Sequence, residues 1–533
     1  MKKIFLLLSF PLLLLSSCAQ QRVTTSTAAP TVTADDPFQH RFDQVFRLVG
    51  DQYVESPNMN QLSEEAINAV LKKLDPHSVY IPAKDVQRAN ESLVGNFEGI
   101  GIMFQIVSDT IYVSDVVAGG PAEKVGMLRG DKVLRIDGRP AVGDSVNNNF
   151  VTKHFRGPKG TTVVVDVLRE GRELSFHIVR DKIPLFSIDA HFMVNDTIGY
   201  IRLTRFARTS YDEFARACRE LQAKGMRALI FDLRGNGGGY LEVACAIANA
   251  FLRHGNLLVY TQGRQVPRQN FTARGNGIFS KGSLVVLIDE NSASASEIVS
   301  GAVQDWDRAT LIGRRSFGKG LVQRMFSLDD GGQVRLTTAR YYTPSGRCIQ
   351  KSYDKGVEDY HKDIANRYRS GELVNPDSVH FPDSLKFFTS KGRAVYGGGG
   401  IMPDIFVPLD TMRLSDYYIN LRSKGLFNSF PTAWVDQHRS DPRLASFDLF
   451  LRHYDDFAID SAFARFAADK NILPDTAEQA QHPQRVLHSQ HYQHFVLKAM
   501  VARTLFGTDY YYLVMRDVDE GYLRAVHYLI NHK

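Results

Sequence analysis

The stretch Leu284-Val-Val-Leu-Ile-Asp-Glu-Asn-Ser-Ala-Ser-Ala-Ser-Glu297 passes from one kind of sequence to another. Residues 284–288 are all apolar, the pattern of a strand buried on both faces. Residues 296–305 read as a helix, so a serine-rich turn joins strand to helix. A serine there lies beside the free backbone N–H groups and the positive dipole end of the helix. Those groups stabilise an oxyanion, and the small neighbours Ala293 and Ala295 let a peptide backbone approach. The stretch also reads as a serine-rich cap, because serine is a favoured N-cap residue. Alone it does not decide between the two.

Outward from this turn, strands and helices alternate. Residues 198–203, 228–233 and 309–312 read as strands, and 211–224 and 241–253 as helices. Such alternation predicts an α/β layered core. Upstream, Asp232-Leu-Arg-Gly-Asn-Gly-Gly-Gly239 follows a buried strand. Consecutive glycines allow positive φ and can present N–H groups to an anion. The Gly-Lys-Ser/Thr ending of a phosphate loop is missing, which argues against nucleotide. Downstream, Phe317-Gly318-Lys319-Gly320 sets a lysine between glycines. A serine nucleophile needs a base, and a desolvated lysine can serve as one. An ordinary surface lysine in a turn is the other reading.

Around this core, residues 37–92 carry apolar positions at helical spacing, among them Phe42, Val45, Phe46 and Val49. Residues 93–183 change to short strand-like runs, with Asp137-Gly138 as a hairpin-type turn. Residues 351–396 are polar and read as an inserted surface excursion. Residues 411–533 are mostly helical. His488, His491 and His494 are spaced by three, which drifts around a helix, so they read as a solvated face and not a metal site.

The chain has 533 residues, is 44% hydrophobic and 23% charged, and suits three or four globular domains. Its net charge is +6 without a dense basic run, so it offers no nucleic-acid surface. At the N-terminus, Lys2 and Lys3 precede an apolar run over residues 4–15. That run is shorter than the ~20 residues of a membrane span and fits a secretory signal over residues 1–17. Leu15-Ser-Ser-Cys18 resembles the lipobox of bacterial lipoproteins, which implies a lipidated Cys18. Residues 18–36 then read as a flexible tether. The other cysteines, Cys218, Cys245 and Cys348, are odd in number and read as packing residues.

Taken together, these motifs resemble the carboxy-terminal processing, or tail-specific, serine peptidases. The resemblance covers roughly residues 40–408 and includes Leu74-Asp75-Pro76, Tyr342-Thr-Pro-Ser-Gly346 and Gly398-Gly-Gly-Ile-Met-Pro-Asp404. It implies a multidomain α+β protein: a layered, crotonase- or Clp-protease-like Ser-Lys core over 184–410, an inserted β-rich PDZ domain over 93–183, and helical N- and C-terminal regions. In that family Ser294 is the nucleophile of Ser-Ala-Ser-Glu, Lys319 the general base and Gln323 the residue that orients it. Glu297, Asp305 and Ser316 fall on supporting positions. Gly238, Gly239 and the Ala295 amide fall on the oxyanion hole. Gly99-Ile100-Gly101-Ile102 resembles the carboxylate-binding loop of the PDZ, and Arg156 a position that links the PDZ to the active site in some relatives.

The implied enzyme needs neither metal nor other cofactor. It would take unstructured C-termini of exported proteins, sit on a membrane through Cys18 and face the periplasm of a bacterial envelope. Homo-oligomerisation is left open. Two rivals are a non-catalytic binding protein on the same core and a PDZ scaffold. The joint presence of Ser294 and Lys319 argues against the first, and the complete glycine loop against the second.

Overall fold

The computed structural model describes residues 37–107, 109–379, 381–410 and 412–532. The signal, Cys18 and tether readings lie outside these residues. The chain divides into two units, one ending at Ala66 and one beginning at Ile67. The described part of the first holds the helix Pro37–Gln52 and the start of the helix Met59–Leu74, with Phe42 stacked on Phe46.

The second unit is built on a six-stranded sheet. Its order is Ile188–Met193, Ile198–Leu203, Ala228–Asp232, Ser283–Ile288, Thr310–Gly313 and Ile405–Phe406. The first pair is antiparallel and the rest are parallel. The strands carry Val, Ile, Leu and Phe on both faces because both faces are covered. On one side pack the helices Ser210–Ala223, Leu241–Phe251 and Ala295–Asp305, through Phe214, Phe231, Phe251 and Val299. On the other lies the C-terminal helix Glu520–Asn531, through Tyr522, Ala525 and Leu529. In parallel sheets, loops at the carboxyl ends of neighbouring strands meet. Here the glycine loop, the serine turn and the lysine turn follow three adjacent parallel strands, with the serine strand in the middle.

A second sheet joins Val79–Ile81, Leu321–Ser327, Gln333–Tyr342, Leu257–Gln262 and Gln269–Thr272. Its short first strand falls inside the segment expected to be helical. That strand forms by pairing with Gln333–Tyr342, more than 250 residues away, which no local pattern reveals.

The β-rich domain is a separate antiparallel sheet, ordered Ile102–Val107, Thr110–Val116, Lys132–Ile136, Thr162–Arg169, Arg172–Val179. Its core is Val113, Val133, Val163, Val165 and Val167 beneath Val151 and Phe155 of the helix Asn148–Phe155. Asp137 and Gly138 both have positive φ, as a two-residue hairpin turn requires. A two-stranded ribbon, Asn96–Gly99 with Asp181–Pro184, brackets the domain's entry and exit.

Residues 351–396 are mostly exposed, but they are anchored against the lysine turn by a few buried side chains. Tyr360, Arg367 and Leu373 are buried, and Arg367 donates to Ser316 O at 2.8 Å and Phe317 O at 3.1 Å. The charges buried there are paired, Lys351 with Asp363 and Glu372 with Arg315. Residues 412–532 form helices around Phe427, Phe430, Trp434, Phe450 and Phe463. His488 meets Asp410 and His494 meets Asp460, two separate pairs.

Candidate active site

Three serines lie in the turn, and their surroundings differ. Ser292 Oγ donates to Leu233 O at 2.9 Å, and Ser296 Oγ to Asn236 O at 2.8 Å, both fully buried. Ser294 is the half-buried one between them. Its φ of 55° is unusual for a residue with a side chain and holds it at the sharp junction of strand and helix. It is also the N-cap of Ala295–Asp305, and its N–H donates to the Glu297 carboxylate. The cap reading and the nucleophile reading therefore describe one residue.

Glu297 gathers the site. Its carboxylate is fully buried. Oε2 accepts from the Ser294 N–H at 2.8 Å and the Lys319 N–H at 2.9 Å. Oε1 accepts from Ser316 Oγ at 2.6 Å and the Gly318 N–H at 2.7 Å. Burial pushes this carboxyl up, against the four donors that favour its charge. A second clamp is Tyr341, which the motifs did not mark. Its hydroxyl donates to Lys319 O and lies 3.1 Å from Ser294 O. One carboxylate and one phenol thus tie the backbones of residues 25 positions apart.

Burial lowers the pKa of the half-buried Lys319; the Glu297 charge opposes this, the Arg335 charge adds to it and Asp75 opposes it. Phe317, next to it, is covered by Lys351 Nζ at 3.8 Å from its ring centroid and by the edge of Tyr360. Asp75 and His77 of the turn before Val79–Ile81 complete the surroundings. His77 shares a 2.8 Å hydrogen bond with the Tyr360 hydroxyl, and Asp75 accepts from Ser78 Oγ at 2.6 Å.

Burial, and then the Lys319 charge, push His77 down to about 3 from the ordinary 6.5. Between these values the unfolded chain binds a proton that the folded protein refuses. Stability should therefore fall as pH drops below 6.5, by up to ~1.4 kcal/mol per pH unit. Urea midpoints at pH 7 and pH 5 should separate more for wild type than for His77→Gln. An equal separation would remove His77 as the cause.

In the glycine loop, Gly238 packs on the serine. A Cβ placed there would lie 2.8 Å from Ser294 Cβ. Its N–H donates to Asn236 Oδ1 at 2.9 Å. The N–H groups of Gly239 and Ala295 donate to no group among the described residues. The loop is knitted to the serine turn by Ala293 N–H on Asn236 O.

Asp305 lies away from the nucleophile, and Gln323 makes a different contact from the one expected. Asp305 ends the helix roughly 15 Å from Ser294 and instead accepts from Arg347 at 2.7 Å and the Ser345 N–H at 2.9 Å. It shapes the turn that follows Tyr342. Gln323 donates to Thr337 Oγ1 at 3.2 Å, and no hydrogen bond joins it to Lys319 among the described residues.

In the β-rich domain, Ile100 and Gly101 donate their N–H groups to nothing among the described residues. Gly101 has φ +82°. The strand that follows, Ile102–Val107, ends its sheet and leaves one edge open. Arg156 pairs with Glu91 at 2.6 Å and lies over the Phe97 ring.

Known proteins give this geometry its context. Residues 197–361 match peptidase family S41, residues 99–179 a PDZ domain, and residues 417–507 a family of unknown function. The carboxy-terminal-processing protease of Bartonella bacilliformis is 39% identical over 73% of this chain and 90% of its own. The carboxy-terminal processing protease CtpB of Bacillus subtilis is 32% identical over 63% of this chain and 70% of its own. Among solved structures, a photosystem II D1 C-terminal processing protease aligns over 71% of this chain and 95% of its own, at 24% identity and a TM-score of 0.36. Fold and relatives together define a serine-type peptidase with a PDZ domain. The chain belongs to peptidase family S41, the carboxy-terminal processing proteases.

Proposed function

We propose that the chain is an endopeptidase that reads protein C-termini through its PDZ domain and cleaves with Ser294 and Lys319. The observation that carries this is the Glu297 carboxylate, which accepts from the N–H groups of both residues. It fixes nucleophile and base on one rigid support, as a dyad requires.

In the first step neutral Lys319 Nζ takes the Ser294 hydroxyl proton while Oγ bonds to the scissile carbonyl carbon. The Gly239 and Ala295 N–H groups receive the oxyanion. Lys319 then returns the proton to the leaving amine as the C–N bond breaks. Lys319 Nζ then takes a proton from water as the water oxygen bonds to the acyl carbon, and returns it to Ser294 Oγ as the ester bond breaks. Ser316 holds Glu297, and Gly238 leaves room beside Ser294.

The free N–H groups of Ile100 and Gly101, beside an open strand edge, suit a terminal carboxylate and strand addition. The reading also includes export, lipidation of Cys18 and attachment to a bacterial envelope facing the periplasm, where substrates would be the C-termini of exported proteins.

Paired peptides, long enough to reach both sites and ending in acid or amide, test the reading. Charge-assisted hydrogen bonds are about twice as strong as neutral ones, so the amide should raise KM about tenfold, or ~1.4 kcal/mol. Arg156→Ala, which frees the Glu91 contact, should lower kcat on the acid peptide. Identical steady-state kinetics for the two peptides would rule out a carboxylate-reading PDZ.

A further inference from the structure

The C-terminal domain touches the enzyme at several places, among them Asp509 on the His191 N–H, and two of them reach the PDZ sheet and the glycine loop. At one, it meets the outer face of the PDZ sheet. Thr432 of the helix Leu426–His438 donates to Gln105 at 2.6 Å, Asp436 pairs with Lys132 at 3.1 Å, and Thr504 O accepts from Arg129 at 2.6 Å. Gln105 alternates with Phe104 and Ile106, which face the PDZ core. The contact therefore uses the sheet face opposite that core and leaves the edge of Ile102–Val107 free.

At the other place, Asp519 accepts a two-pronged hydrogen bond from Arg234, 2.7 Å at each oxygen. Asp519 also caps Glu520–Asn531 through the Tyr522 N–H. That helix is fixed in the core beneath the central sheet. Arg234 stands at the root of the glycine loop, two residues before Asn236. It is held there by buried Asp232, whose carboxyl burial would push up but the Arg234 and Arg202 charges hold well below the usual range. Arg202 donates to Arg234 O at 3.0 Å. The loop's root is thus anchored on one side by its own strand and on the other by the C-terminal domain.

We propose that the C-terminal domain, of which residues 417–507 match a family of unknown function, is a two-ended brace: it seats the PDZ by its outer face and, with Asp519 as a positioning residue, sets the glycine loop beside Ser294. This rests on the proteolytic reading above. The brace makes tail capture and oxyanion geometry properties of one rigid element. Neither contact uses the peptide edge or the nucleophile, so each end can be cut separately.

The test uses the full chain and two fluorescent peptides, one with a free C-terminal tail that reaches the PDZ and a short one without it. Asp519→Asn keeps the shape and loses the charge. It should lower kcat on both peptides about tenfold, as a misplaced oxyanion donor does, while tail affinity, measured by anisotropy on Ser294→Ala, stays unchanged. Asp519→Glu should recover most of the loss. Thr432→Val with Asp436→Asn should leave the short peptide's kcat unchanged and cut the advantage of the tailed peptide at least threefold. If Asp519→Asn does not fold, that double variant decides, since it alters the PDZ contact alone. Asp519→Asn with kcat within twofold of wild type, or a double variant with its tail advantage intact, overturns the brace. Wild type cleaving neither peptide overturns the proteolytic reading itself.

Discussion

Ser294→Ala is expected to reduce peptide cleavage at least ~10⁴-fold, because losing the nucleophile removes the covalent route and leaves only binding and oxyanion contacts. The fold should persist. Alanine adds no atom at φ 55°, and the Ser294 N–H still reaches Glu297. The Ser294 hydroxyl accepts no capping hydrogen bond, so Tm should shift by no more than a few degrees. The neighbouring serines provide the contrast. Ser292→Ala and Ser296→Ala each remove one buried hydrogen bond, to Leu233 O or Asn236 O, carbonyls that still accept from the Asn236 N–H and the Ala293 N–H respectively. They should cost stability of about 0.5–1.5 kcal/mol and far less activity. Steady-state cleavage and thermal melts on the three variants separate these effects. Activity of Ser294→Ala within tenfold of wild type would assign the chemistry elsewhere.

What could be read in the sequence was what neighbours in the chain determine. Residues 228–231 and 284–288 are apolar because strands buried on both faces must be, and the Gly238 loop is mostly glycine because Ser294 packs on it. Ser294 among three serines could be chosen only by resemblance, since local pattern does not show which hydroxyls are spent inside. What could not be read was pairing across long separations. Tyr341 clamps Ser294 and Lys319 from a neighbouring strand, and nothing in Tyr-Tyr-Thr-Pro marks its hydroxyl as the one turned inward. His77 and Tyr360 meet across 283 residues. Arg367 and Lys351 looked like surface because charge in sequence carries no record of its partner. Asp305 joins the expected site only through resemblance, and the helix that Ser294 caps carries it to the opposite end.

Lys319→Arg should be nearly as inactive as Lys319→Ala, each at least ~10³-fold below wild type. Burial disfavours the ammonium, and Arg335 reinforces it, while Glu297 and Asp75 work the other way; the net result is a lysine below its ordinary 10.5. A base is useful only when unprotonated, so the rate should climb with pH and level off once Lys319 has lost its proton, below that value. Arginine keeps its proton across this range and cannot accept one from Ser294, although its backbone N–H would still serve Glu297. The same shift has a stability signature of fixed sign. With the folded pKa below the unfolded one, the unfolded chain binds more protons, so stability should rise with pH through that interval in wild type. Lys319→Met, apolar and similar in length, should flatten that rise and resist urea at least as well as wild type at neutral pH. A pH–rate profile flat from pH 5 to 9 with chemistry limiting, or appreciable turnover by Lys319→Arg, would mean that another group takes the proton.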